Sequence, residues 1–337
     1  MSETFPVLGG IDEAGLGPLL GPLAIGWSAI ERERPSENAW SAWAPLVARE
    51  TPRKSPTAHL VVADSKKVFS RNDRGRARLE RTALAFLAQL LPNTAPPATF
   101  VELFAPPIAP LGPAPKFMGA PWLSSPAATG LKLARHADAG GLELMSERLR
   151  RTIEASPVKL VCAGLRLVPA LELNLSYEET NNKGTTAVGL TLDALADLWT
   201  RFAHRGLEVV VDRQGGRAHY GSTLAKRFPH ASVRMIEERR GTSAYRLDGR
   251  RGTPEEGWRM LVSFTEKGED HCFATALGSC LAKFARETAM AAFNEHFGAF
   301  APDLKPTAGY TQDGRRWLED AGDLVQGVER ATLIRNR

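Results

Sequence analysis

Leu207-Glu208-Val209-Val210-Val211-Asp212 is a short β-branched run that stops on a carboxylate. Such runs are expected of strands buried on both faces within a helix-covered sheet, since half-solvated strands alternate apolar with polar residues. On its C-terminal side come a helix near 218–228, a strand over 232–237, a basic turn, a strand over 260–265 and a helix from about Asp270. In that last helix Phe273, Leu277, Cys280, Leu281 and Phe284 recur at helical spacing and share one apolar face. On the N-terminal side, helical spacing covers 72–91, 141–155 and 176–203, with strand-like residues at 59–63 and 158–163. At the start, two apolar runs within Phe5–Ile30 flank a charged, glycine-rich turn at Asp12–Gly21, the pattern of two paired strands. Strands and helices in mixed order predict an α/β fold with a central mixed sheet flanked by helices.

Two stretches fit this alternation poorly. Residues 31–57, rich in charge, proline and tryptophan, read as a surface connection. From Pro92 to Thr129 prolines are too dense for helix or central strand. Phe100, Leu103, Phe104, Phe117 and Trp122 nevertheless predict that this stretch packs on the body. With 337 residues, 43% hydrophobic and 24% charged, the chain is ordinary globular material and not a disordered one. We expect a single domain over 1–337 with insertions at roughly 31–57, 92–157 and 213–260. No apolar run reaches the ~20 residues that cross a bilayer, and Cys162, Cys272 and Cys280 lack zinc or disulfide spacing. The expectation is a cytoplasmic monomer with no membrane contact and no small-molecule organic cofactor. The net charge of +5 is compatible with a polyanionic partner without requiring one.

The residues suited to chemistry are acids. Asp12 and Glu13 follow the first strand-like run and precede a turn with Gly15, Gly17 and Gly21. As sequence neighbours they point to opposite faces of a regular strand unless it bends or ends there. A dinucleotide-binding loop fits worse, because the glycine spacing is wrong and Pro18 and Pro22 break the helix that should open there. Asp212 ends its strand where α/β sheets bind ligands, and Glu269 and Asp270 open the apolar-faced helix. Asp270 is also well placed simply to cap that helix.

Read together, these segments resemble the type 2 ribonuclease H family, ribonucleases HII and HIII. Gly10–Pro22 is similar to that family's G-x-D-E-x-G-x-G-x-x-x-G-P motif, Asp64-Ser65-Lys66-Lys67 to its D-S-K-K segment, and Val209–Asp212 to its second acidic strand. Lys267-Gly268-Glu269, Ser279-x-Leu281-Ala282-Lys283 and Arg286-Glu287-x-x-Met290 resemble a further run of motifs, and Gly309-Tyr310-Thr311 is near its G-Y-G-T. A glutamate in the fourth acidic position leans toward ribonuclease HIII, although the extra N-terminal domain typical of that enzyme does not precede Asp12.

The resemblance implies a ribonuclease H-like fold and a two-metal endoribonuclease that cuts RNA in RNA–DNA hybrids, leaving 5′-phosphate and 3′-hydroxyl ends. It assigns Asp12, Glu13, Asp212 and Glu269 as catalytic metal ligands, with Asp270 as the alternative to Glu269. Carboxylates gathered in one pocket repel by ~4 kcal/mol per pair at 4 Å and an effective dielectric of ~20. Oxygen-only ligands suit Mg²⁺ or Mn²⁺. It also implies substrate contacts from Gly15, Leu16, Gly17, Ser65, Lys66, Lys67 and Tyr310. Leu16 departs from the G-R-G of ribonuclease HII and removes a guanidinium from the turn. A non-catalytic nucleic-acid-binding protein on the same fold is the main alternative. A nucleotide-dependent small-molecule enzyme is disfavoured by the two prolines.

Overall fold

A computed structural model describes residues 5–111, 120–214 and 217–336. The predicted packing of Phe117 lies outside them. The chain folds as α/β around a seven-stranded mixed sheet with helices on both faces. β1 (Val7–Ala14) pairs antiparallel with β2 (Leu23–Arg32), and β2 pairs antiparallel with the later strand Val158–Val168. Two short strands, β3 (Val47–Ala48) and β4 (Leu60–Val61), pair separately, so Val158–Val168 is β5. On its other edge β1 runs parallel to β6 (Leu207–Asp212). Then come β7 (Ala231–Arg239), β8 (Thr242–Gly249) and β9 (Arg259–Thr265), giving the order β5-β2-β1-β6-β9-β8-β7 with β6 and β9 also parallel.

One face is covered by the 28-residue helix Phe273–Phe300, which lies across β1, β2 and β5. The contact is close enough to exclude side chains. A Cβ on Gly26 would sit 2.2 Å from the Gly278 carbonyl oxygen, and one on Gly10 2.0 Å from the Thr275 nitrogen. Backbone against backbone holds this helix in a fixed axial position on the sheet. The helices Asp73–Ala88 and Ala139–Glu154 extend the same core layer. Helix Lys183–Phe202 covers the opposite face with Leu195, Leu198 and Trp199 against Ile11, Val209 and Val211.

Several expectations need correction. Residues 31–57 are not a plain surface connection. Trp43 is fully buried, and Trp40 and Trp43 pack edge-on against Phe273 at 5.2 and 5.1 Å. The tryptophans win over the flanking charges because their large apolar area is worth more buried. The helix predicted over 176–203 is two helices, Ala170–Thr180 and Lys183–Phe202. Asn181 takes a left-handed conformation at φ 48°, and the side chain of Asn182 caps the second helix by accepting from Thr185 N. β6 alternates between buried and partly exposed residues, since Glu208 reaches out to pair with Arg32. β8 went unread as a strand, although Ser243, Tyr245 and Leu247 alternate as its buried face. The Pro-rich stretch does pack on the body: Phe100, Leu103, Phe104 and Trp122 are buried.

Candidate metal and nucleic-acid site

The parallel pair β1–β6 ends with Ile11 beside Val211, so Asp12 and Asp212 follow at the carboxyl ends of neighbouring strands. Residues paired in a parallel sheet share a face. Ile11 and Val211 point toward helix Lys183–Phe202, and Asp12 and Asp212 therefore point the other way, toward Phe273–Phe300. The Asp212 carboxylate accepts from Gly268 N at 3.1 Å, which anchors the single helical turn Gly268–Asp270 beneath it. Glu269 in that turn is buried and close enough to Asp212 for its charge to raise the Asp212 pKa. Its Oε2 has no partner among the described residues. Asp12 is buried, accepts from Glu13 N at 2.7 Å, and is hydrogen-bonded by the Ser279 side chain.

Asp12, Asp212 and Glu269, drawn from three distant segments, thus share one face. Glu13 does not. β1 stays regular through Ala14, so Glu13 turns to the opposite face, where Gln214 Nε2 donates to it at 2.9 Å and to Thr191 at 2.6 Å. Asp270 stands apart as well: it is an ion pair with Lys67 at 2.5 Å. It does not cap the long helix, whose N-cap residue is Cys272.

Burial dominates the electrostatics. It raises Asp12 well above the usual carboxylate range, with the Glu13 charge adding to the effect. Burial, followed by repulsion from Asp12 and Glu269, pushes Asp212 up to about 8. Glu13 rises to about 7, chiefly through burial and against the opposing hydrogen bond from Gln214. The donor set of carboxylate oxygens, one of them orphaned, suits a hard divalent cation. As the side chains stand, however, no three His, Cys, Asp or Glu among the described residues form a ready cluster that could hold an ion. Glu13 lies across the strand, so chelation by all four requires rotation of side chains at the strand end.

Ser65 is buried, and its N donates to Ser279 Oγ at 3.2 Å, so the short helix Ser65–Val68 is docked onto the same serine that holds Asp12. Asp64 caps that helix by accepting from Lys66 N at 2.9 Å. Lys66 is exposed, whereas Lys67 is engaged by Asp270. Gly17 is open, but Gly15 at φ +89° leaves no room for a Cβ, which would lie 2.3 Å from Arg286 Nε. Tyr310 is 42% exposed, outside the core, with the Arg286 guanidinium 5.4 Å from its ring centre.

Sequence reasoning gave no individual role to Ser279, Gln214, Thr191, Arg286 or Arg335. A serine amid the apolar positions of a long helix was a usable signal for the first. Gln214, two residues past Asp212, was a weaker one. Nothing in the sequence marked Arg335.

No protein-family model matches the chain, and no curated protein matches it. Among solved structures it is similar to the ribonuclease HII of Archaeoglobus fulgidus, determined in complex with PCNA, at 14% identity over 98% of this chain and 94% of that one, with a TM-score of 0.43. It is similar to a mutant form of Bst-RNase HIII at 14% identity and a TM-score of 0.42, over 97% of this chain and 65% of that longer one. The ribonuclease H2 of Pyrococcus horikoshii OT3 follows at 14% identity over 97% of this chain and 92% of that one, with a TM-score of 0.36. These solved structures are all type 2 ribonucleases H.

Proposed function

We propose that the chain is a divalent-metal-dependent endoribonuclease that hydrolyses RNA in RNA–DNA hybrids, leaving 5′-phosphate and 3′-hydroxyl ends. The observation that carries this reading is the placing of Asp12, Asp212 and Glu269 on one sheet face at the carboxyl ends of parallel strands. Buried acids gathered in this way are costly unless a cation or protons neutralise them. A nucleic-acid-binding module would gain nothing from negative charge facing phosphate.

Mg²⁺ or Mn²⁺ bound at these acids would supply the Lewis acidity for attack of water on the phosphodiester. Asp12, Asp212 and Glu269 would hold that charge, and Glu13 would join them only on leaving its hydrogen bond with Gln214 on the far face. Ser279 orients Asp12, and Gln214 keeps Glu13 at the edge of the site. Lys66, Lys67 and the Gly15–Gly17 turn position the backbone of the hybrid. The protein works as a single-domain cytoplasmic monomer.

The test is cleavage of a labelled RNA–DNA hybrid, and of a DNA duplex with one ribonucleotide, in Mg²⁺ or Mn²⁺. Wild type should cut the continuous hybrid, whereas Asp12→Asn and Glu269→Gln should not. A wild type no more active than these variants ends the enzyme reading. The position of Glu13 on the far face favours one second reading, a non-catalytic hybrid-binding protein. Hybrid binding without turnover in either metal would select it.

A further inference from the structure

The glycine turn after the acids is gripped from below by a segment far away in sequence. The C-terminal stretch forms a β-bridge from Ile334 to Leu20, and Arg335 N donates to Leu19 O at 3.0 Å. Buried Asn174 clamps the stretch, donating to Ala331 O and Ile334 O at 2.8 Å each and accepting from Asn336 N at 2.7 Å. This brings in Arg335, itself only 6% exposed. Its Nε donates to Gly21 O at 2.7 Å and its Nη1 to Gly15 O, so one guanidinium ties both ends of the turn.

Its remaining nitrogen, Nη2, is buried with no partner among the described residues. Arg335 lines a small cavity with Leu16, Asn174, Tyr177, Lys183 and Asn336. Arg286, also fully buried, stands close enough to repel it; its Nη2 donates to Ala308 O at 2.8 Å, while its Nε and Nη1 make no hydrogen bond among the described residues. Among the described residues Arg335 makes no ion pair, and Arg286 meets a carboxylate only at Glu287, 3.7 Å away. A guanidinium taken out of water without a counter-ion is costly. Arg335 is thus a buried cation beneath the turn that no carboxylate answers among the described residues, with Nη2 left for an anion that reaches the turn. Arg335, although burial lowers it to about 9, still carries its charge at neutral pH.

We propose that Arg335 is a positioning residue that shapes the Gly15–Gly17 turn and places a cation beneath it for a phosphate of the nucleic-acid backbone, in a turn whose middle residue Leu16 has no charge. The inference rests on the nuclease reading only for the identity of the ligand, an RNA–DNA hybrid. Its test is hybrid affinity by fluorescence anisotropy in EDTA, where no cleavage occurs, from 50 to 200 mM KCl, for wild type, Arg335→Gln and Arg335→Lys. Loss of one phosphate-neutralising charge lowers the slope of log affinity against log salt by about 0.9. Arg335→Gln should therefore bind about tenfold more weakly with that reduced slope, and with a raised KM and nearly unchanged kcat where turnover is measured. Arg335→Lys should keep the wild-type slope. Thermal unfolding of each variant separates misfolding from lost charge.

A folded Arg335→Gln with wild-type affinity and slope overturns the proposal. So does equal weakening in both variants at an unchanged slope, which marks a purely structural clamp. Should Arg335→Gln fail to fold, Asn174→Ala, which releases the stretch that carries Arg335, is read in its place: a reduced slope supports the proposal and a wild-type slope overturns it. A wild type that binds hybrid with an Arg335-dependent slope but never cleaves defeats the nuclease reading alone. A wild type that cleaves but is indifferent to Arg335 defeats this inference alone, and one that binds no hybrid defeats both.

Discussion

The division of labour between Glu269 and Asp270 shows how one backbone step separates two roles. Glu269 is buried against Asp212 with an oxygen left over, whereas Asp270 faces outward and pairs with Lys67. Glu269→Gln should lower hybrid cleavage at least 100-fold in Mg²⁺ or Mn²⁺. Asp270→Asn should keep kcat within a few-fold and move mainly KM, because it releases Lys67. Steady-state kinetics on a labelled hybrid read both, and a dead Asp270→Asn beside an active Glu269→Gln would reverse the assignment. Both residues were visible as candidates from their place at the start of an apolar-faced helix. The spacing from Lys267-Gly268 to Ala282-Lys283 selects Glu269 over Asp270, but where a tight turn aims two adjacent side chains is not written in that spacing.

Among elements, the long helix Phe273–Phe300 does most to build the site, because it carries Ser279 and follows directly from the Glu269 turn. Its position depends on the glycine contact with β2. Gly26→Ala would drive a methyl into the Gly278 carbonyl and should destabilise the fold by about 1–3 kcal/mol, the usual cost of overpacking. Gly189→Ala, on the exposed side of helix Lys183–Phe202 with nothing within 4 Å, should instead stabilise by about 0.4–1 kcal/mol. Urea midpoints at equal m-value test the pair, and a neutral Gly26→Ala would show that the helix is free to shift. The apolar periodicity of this helix and the β-branched character of β6 were legible because repeated side-chain spacing reports burial directly. The break at Asn181 was hidden inside continuous helical spacing, and β8 inside a charged segment.

At the level of the whole molecule, burying like charges makes stability depend on pH in a definite direction. Asp212 at about 8 and Glu13 at about 7 hold protons more tightly in the folded state than in the unfolded chain, where carboxylates titrate near 4. Their protonation therefore favours the native state fully below pH ~4, and the advantage is lost as pH rises to about 8. In EDTA the melting temperature should fall by several degrees between pH 5.5 and 8.5, and Asp212→Asn should flatten that fall. Mn²⁺, which competes with those protons, should raise the melting temperature more at pH 8.5 than at 5.5. Differential scanning fluorimetry measures all three, and an Asp212→Asn profile parallel to wild type would contradict the assignment. Among the described residues no helix is long and apolar enough to cross a membrane.

By itself the sequence determined the α/β layering, the paired first strands, the acid-bearing strand ends and the apolar face of the long helix, because each is written in local periodicity. Only the tertiary structure decided that Asp12, Asp212 and Glu269 share a face while Glu13 lies across the strand. The same is true of Trp43 in the core and of Arg335, over 300 positions away, beneath the glycine turn. Those outcomes depend on strand register and on contacts between segments far apart in the chain, and no local pattern of side chains encodes which distant partner a residue will meet.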